Sequence, residues 1–316
     1  MFGTDSSDSL HLNDGVETWK QSGTRLRLDM DGEELTEQET ALYDRQIRVW
    51  GADAQRRLSK SHILVYGVKG TVAEFCKNIV LAGVGSLTLV DDRAVTEEAS
   101  YANFLIPSDE SVHAGKTIAE LCCDSLKEFN PMVRVSVERG DLASRGAEFF
   151  DMFDAVVVSC CSLQEKKSIN EKCRKSSKRV AFYTVDCRDS CGEIFVDLQN
   201  YKYNKKKKEE SMECELEYPS FEEAIRVSWR ALPRKVSKLY FAMRVIERFE
   251  QAEGRNPGQI FVEELPAILK LKAELCQAEV IKAISGKGDP FKNFFFYDVV
   301  DGKGLIEDIS EPNMES

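Results

Sequence analysis

The stretch that most constrains this chain is Ser61 to Asp92, SHILVYGVKGTVAEFCKNIVLAGVGSLTLVDD. Ile63 to Tyr66 is a short apolar run closed by Gly67, which reads as a buried strand of a parallel sheet. Val72, Phe75, Cys76, Ile79 and Val80 then recur at i, i+3, i+4, i+7 and i+8, one apolar face at helical spacing, and Gly83 to Gly85 ends it. A second strand from Leu87 to Val90 delivers Asp91 and Asp92 to its C-terminal end. Strand, glycine turn, helix, strand and acidic residue within about thirty residues form the unit that binds nucleotides in doubly wound folds.

The turn itself departs from what such binding needs. A phosphate turn requires glycine for the tight bend, for close approach of the backbone to phosphate, and for close helix packing. Its six positions here are Gly67, Val68, Lys69, Gly70, Thr71 and Val72, so lysine and valine stand at the second and third glycine places. Their side chains fill space that a pyrophosphate and a close helix would occupy. The unit is expected to keep its fold and to have lost its ligand; one other reading stays open, in which Lys69 holds a phosphate by charge.

Beyond this unit the apolar pattern goes on alternating. Residues 36–59 read as helical, with Leu42, Ile47, Val49, Trp50 and Leu58 as apolar anchors, and an irregular loop runs from Asp92 to Pro107. A helix through Ile118, Leu121, Cys122 and Phe129 follows, then strands at 133–137, 153–159 and 179–186, with a basic helix through Cys173 between the last two. Glu193 to Leu198 is read as an antiparallel return through the turn 187–192. The series predicts an α/β fold with a Rossmann-like, mainly parallel sheet covered by helices on both faces, plus a helical insert. The expected divisions are 1–29 as a disordered upstream extension with Met30 as initiator, and 30–200 as the Rossmann-like domain. After these come 201–217 as a charged crossing loop, 218–285 as the helical insert, and 286–316 as returning strands and tail. Within the insert, helices are expected at 221–231, 234–253 and 263–284. In the last division NFFFYD, Asn293 to Asp298, reads as a fully buried strand that Leu305 to Ile309 pairs with.

A net charge of −11 argues against nucleic acid as the main partner, and no apolar run approaches the roughly 20 residues of a membrane span. The ten cysteines contain no CxxC pair and read as reduced, mostly buried intracellular thiols. Cys187 and Cys191 are the one chelate-like spacing, and with three histidines in the chain no metal site is expected. Lys205 to Lys208 is a candidate nuclear import signal, giving an expected location in the nucleus and also the cytoplasm.

YDRQIRVWG at Tyr43 to Gly51, KNIVLAGVG at Lys77 to Gly85, FLI at Phe104 to Ile106, Asn130-Pro131 and NFFFYD together resemble a known family. It is that of the ubiquitin-like-protein activating enzymes, related to the bacterial MoeB and ThiF adenylyltransferases. Within it the likeness is greatest to the small, non-catalytic subunits of heterodimeric SUMO-activating enzymes. The resemblance implies a complex that binds ATP and magnesium, adenylates the C-terminal carboxylate of SUMO, and passes the acyl group to a cysteine of a catalytic large subunit. It places Ala99 and Ala102 where a competent half has the Asn and Arg that hold nucleotide, and Cys161 where an Asp holds magnesium. Gly67, Lys69, Gly70, Asp91 and Lys116 then remain as a degenerate site. Asp91 is the expected ribose acceptor, and no cofactor is expected on this chain alone.

The same resemblance gives Arg45 a role in trans, reaching the ATP phosphates of the partner, and leaves Arg48 to structural pairs. No cysteine matches the thioester cysteine, and Cys187, in a turn, is the most accessible. Compared with the family, the chain runs from Leu271 to Val280 with a helical segment missing near Gln277. Two other readings stay open. One is a scaffold for a ubiquitin-like-protein activating enzyme, SUMO-type or Nedd-type, without a part in the chemistry. The other is an independent adenylating enzyme or dinucleotide-dependent oxidoreductase, against which the altered turn speaks.

Overall fold

Ile63, Leu64 and Val65 show how the centre of the molecule is built. Their side chains alternate across a pleated strand, so Leu64 enters one core while Ile63 and Val65 enter the other. A strand buried on both faces is a central strand, and this one has neighbours on both sides. The structure, a computed structural model, describes residues 35–188, 191–207, 210–227, 229, 231–232, 236–258, 268, 293–298 and 303–309.

In chain order the elements begin with α1 (Glu37–Leu42), α2 (Asp44–Trp50), α3 (Ala52–Ser59), β1 (His62–Tyr66), α4 (Gly70–Ala82) and β2 (Ser86–Val90). They continue through α5 (Glu97–Ala102), α6 (Ile118–Phe129), β3 (Arg134–Val137), α7 (Ala147–Phe150), β4 (Ala155–Val158), α8 (Leu163–Lys175), β5 (Ala181–Arg188) and β6 (Cys191–Asp197). The last are β7 (Asn200–Lys207), β8 (Glu210–Glu217), α9 (Phe221–Arg226), α10 (Lys238–Ala252), β9 (Phe294–Asp298) and β10 (Lys303–Glu307). The main sheet has the order β10-β9-β6-β5-β4-β1-β2-β3. From β5 to β3 its neighbours run parallel, and β6, β9 and β10 add an antiparallel end. The expected α/β architecture, helices on both faces of a mainly parallel sheet, is the one found.

One core lies under α4 and α6, where Val72, Cys76, Val80, Leu121, Cys122 and Leu126 meet Val65, Leu87 and Leu89. The other lies under α8, α9 and α10 and is aromatic: Phe195 touches Phe221 and Phe294 at centroid distances of 5.1 Å each. Every such ring contributes about 1.5–3 kcal/mol through its removal from water.

Several expectations are corrected. Residues 36–59 form three short helices, because Tyr43 turns inward at the first break and Gly51, at φ +86°, makes the second in a region that favours glycine. Leu42, Val49 and Trp50 are exposed, so they are not core anchors. The loop after Asp92 contains α5, capped by the Thr96 hydroxyl, which accepts from the Ala99 N–H.

Residues 201–217 are not a crossing loop: β7 and β8 pair antiparallel from Asn200↔Glu217 to Lys207↔Glu210 as a separate two-stranded sheet. Low strand propensity of Lys and Glu hid it, but the ladder sets Lys202 opposite Glu215, and the rings of Tyr201 and Tyr203 stack at 6.2 Å. The helices expected at 221–231 and 234–253 are shorter, 221–226 and 238–252. NFFFYD alternates instead of being buried throughout, with Phe294 and Phe296 inside and Tyr297 exposed. The expected 1–29 extension, Met30 and the joint near Gln277 lie outside the described residues, as does the helix at 263–284 except for residue 268, which is helical.

Candidate functional site

The segments on which the family resemblance rests are scattered in sequence and meet in space. Tyr43 is buried, and its hydroxyl accepts a 2.8 Å hydrogen bond from Asn130 Nδ2, which also donates to the Val80 carbonyl at 2.9 Å. Gly83 sits beneath the tyrosine ring: a Cβ there would fall onto Cζ and Oη of Tyr43. Gln46 Nε2 donates to the Leu81 carbonyl at 3.2 Å and Gln55 Nε2 to that of Ala82 at 2.9 Å, so α2 and α3 are tied to the end of α4. Trp50 Nε1 donates to Gln55 Oε1 at 3.0 Å.

On this anchored platform Arg45 is exposed and, among the described residues, makes no hydrogen bond or ion pair. Arg48 instead pairs with Asp44 at 2.8 Å one turn earlier, as the sequence implied. Leu42, Val49 and Trp50 lie on the same short helices and leave apolar surface in water.

The turn Gly67 to Gly70, expected to be a degenerate nucleotide site, lies at the C-terminal end of β1 beside that of β4, where the strand order reverses. A cavity of about 200 Å³ opens there, lined by Lys69, Gly70, Thr71, Cys160, Asp186, Cys187 and Arg188 among others. Gly67, at φ +81°, lies against the Ser159 carbonyl, and a Cβ on Gly70 would fall onto the Ala102 carbonyl oxygen. The room these glycines create is therefore filled by the protein's own backbone.

Asp91 is buried and fully engaged. Its Oδ2 accepts from the Val68 N–H at 2.8 Å, and Arg93 clamps both oxygens, Nε to Oδ1 at 2.8 Å and Nη2 to Oδ2 at 2.6 Å. Lys116 is held elsewhere: its Nζ pairs with Asp124 at 3.0 Å and lines a different hollow, while Lys69 is exposed at the turn. Cys161 is buried against the Ser159 carbonyl, and burial pushes its thiol well above the ordinary range. These residues do not fit a magnesium nucleotide: the carboxylate is consumed, the lysines are apart, and Cys161, which the resemblance sets at a magnesium-ligand position, offers a protonated thiol in place of a hard oxygen.

Cys187 is exposed, with Sγ 3.2 Å from Thr71 Oγ1, and Cys76, Cys122 and Cys173 are buried, their thiols raised by loss of water. Sequence reasoning missed a buried charge cluster. Lys166 is 0% exposed and binds Asp186 Oδ2 and Glu247 Oε1, each at 2.7 Å. Arg244 pairs with Glu193 and, at 3.0 Å, with Glu247, and Arg188 forks onto Glu250. Asp186, Glu193 and Glu247 lie close enough to hold an ion, but Lys166 and Arg244 already occupy the centre as their counter-charges.

Burial pushes Glu193 up to about 7 against the pull of Arg244. At Glu247 burial also opposes ionisation, but Arg244 and then Lys166 outweigh it and hold the group at about 2. The available signal was Lys166 itself, which shares the inward face of α8 with Ile169, Asn170 and Cys173.

The ThiF family profile matches residues 43–315. The chain belongs to the ThiF family. Within this ThiF family it is 62% identical over 317 residues to SUMO-activating enzyme subunit 1B-1 of Arabidopsis thaliana, covering 89% of this chain and 99% of that protein. It is likewise 62% identical over 318 residues to subunit 1A of the same plant, with the same coverage. SUMO-activating enzyme subunit 1 of Homo sapiens is 30% identical over 336 residues, covering 86% of this chain and 96% of that protein. This ThiF-family chain is thus a subunit-1 type component of a SUMO-activating enzyme. The length aligned to subunit 1B-1 exceeds the 89% of the chain that enters it, so that relative carries internal residues this chain lacks.

Proposed function

We propose that this chain pairs with the catalytic large subunit of a SUMO-activating enzyme and lends Arg45 to the ATP phosphates bound on that partner. It holds neither ATP nor magnesium itself. The modifier's C-terminal carboxylate and the α-phosphate it attacks are both anionic, so their approach needs a fixed cation, and a guanidinium suits phosphate by its planar fork. A finger arginine supplied in trans must be exposed, unpaired and rigidly mounted. The observation that supports this reading is that, among the described residues, Arg45 has all three properties while its neighbour Arg48 is paired. The apolar surface of Leu42, Val49 and Trp50 beside it suits a docking face.

SUMO reaches this chain through the complex, with no part for nucleic acid or membrane; no described helix is long and apolar enough to cross a bilayer. Lys205 to Lys208 directs the protein to the nucleus, with a further pool in the cytoplasm. Reconstitution with a purified large subunit tests the pairing. SUMO-dependent ATP–pyrophosphate exchange should appear only when this chain is added, and exchange by the large subunit alone at the same rate contradicts the proposal.

A further inference from the structure

A second hollow, of about 270 Å³, lies away from the nucleotide turn between α8, α9 and α10. Its charged walls are Lys167, Arg226, Arg244, Arg248 and one carboxylate, Glu247. That carboxylate is neutralised from within, by Lys166 at 2.7 Å and Arg244 at 3.0 Å. At the mouth Lys167 and Arg226 share one distant anion, Glu222, at 3.7 and 3.8 Å, beyond hydrogen-bond reach. Among the described residues Arg248 is exposed and makes no ion pair or hydrogen bond. At the base Arg244 is 4% exposed, and its Nη1 is buried without a hydrogen-bond partner.

Three under-neutralised cations around one recess are unusual on a chain of net charge −11, because self-repulsion works against holding them together. An apolar floor for a neutral ligand is limited to Leu163 and Ile225. We infer that the hollow between α8, α9 and α10 is a binding site for a small phosphoryl anion, held by Lys167, Arg226 and Arg248 over the Arg244 guanidinium. One carboxylate would leave two of the three mouth cations uncompensated, whereas a phosphate or pyrophosphate supplies two or more charges and several acceptor oxygens for the guanidinium forks. Glu222 then swings away as the anion enters. The site is separate from the cavity at Lys69 and from Arg45.

The test is calorimetric titration of inorganic phosphate and of inorganic pyrophosphate into the full chain at low salt, beside Arg226→Ala/Arg248→Ala and Lys69→Ala variants. Both arginines are exposed, so the double variant should keep the wild-type thermal midpoint. The expected result is saturable binding, tighter for pyrophosphate, weakened at least tenfold in the double variant, unchanged in Lys69→Ala, and falling with added salt. Equal affinity in wild type and double variant overturns the inference, as does loss of binding in Lys69→Ala, which moves the anion to the nucleotide turn. Absence of binding by either anion at millimolar concentration overturns it too.

Discussion

Tyr43 and Asn130, 87 positions apart, are joined by a 2.8 Å hydrogen bond in which the asparagine amide donates to the tyrosine hydroxyl. The same amide group reaches the Val80 carbonyl, and the Asn130 Oδ1 accepts from the Met132 N–H at 3.1 Å. One buried side chain thus ties the start of α2 to the ends of α4 and α6, and Arg45 is carried on the result.

Asn130→Ala therefore leaves the Val80 carbonyl and the Met132 N–H without that partner and should destabilise the chain by about 1–3 kcal/mol. Tyr43→Phe keeps the ring over Gly83, removes only a hydroxyl, and should cost about 1 kcal/mol. Urea denaturation of the two variants checks the order; equal stability of Asn130→Ala and wild type contradicts the platform.

Asp91 reads in two ways that stability separates. As a ribose acceptor alone it is dispensable to folding. As the group that caps the Val68 N–H and receives both nitrogens of Arg93, its loss removes charge-assisted bonds worth about 1.5–3 kcal/mol. Exposure of Arg93 to water places the outcome at the lower end, so Asp91→Ala should unfold near 1.5 kcal/mol earlier in denaturant titration.

The buried charge cluster predicts both a mutational and a pH effect. Lys166→Met leaves Asp186 and Glu247 buried without their shared cation, a loss of about 3–5 kcal/mol. Glu193 faces Arg244 and Glu247 on α10, Lys166 on α8 and Asp186 on β5. Its folded value, raised by burial to about 7, lies above the ordinary carboxylate value of 4.5. Such a group contributes stability that is complete below the ordinary value and is lost as pH rises through about 7. Wild-type stability should therefore fall more between pH 5.5 and 8.5 than that of Glu193→Gln, which stays neutral throughout. Parallel pH profiles of the two proteins contradict this.

Val49, 81% exposed, separates docking from folding. Val49→Asp should leave the thermal midpoint of the lone chain within a degree or two, as surface changes away from special features usually do. It should weaken its complex with the large subunit at least tenfold in a sedimentation or calorimetric titration. Undiminished affinity would place the docking face elsewhere.

How much of this was legible in the sequence varies by element. The β1-α4-β2 unit was, because one strand buried on both faces and one helix with a single apolar face leave clear periods. The altered turn was legible only as residues: lysine and valine stand at glycine places, whereas the closing of the room at Gly67 and Gly70 by the Ser159 and Ala102 carbonyls depends on the fold. The β7-β8 hairpin was not: Lys and Glu carry low strand propensity, and their pairing depends on a cross-strand register that composition does not encode. Leu42, Val49 and Trp50 misled for the opposite reason. Apolar residues at helical spacing look the same whether they face a core or a partner. The charge cluster was invisible because Lys166, Glu193 and Arg244 come from three distant elements.

The most direct test of the account is Arg45→Ala in the reconstituted two-subunit enzyme, read by ATP–pyrophosphate exchange. Among the described residues Arg45 makes no hydrogen bond or ion pair, so the complex should form with unchanged affinity while exchange falls by about 10² or more. Exchange at the wild-type rate in an intact complex would contradict the central claim and leave this chain as a scaffold.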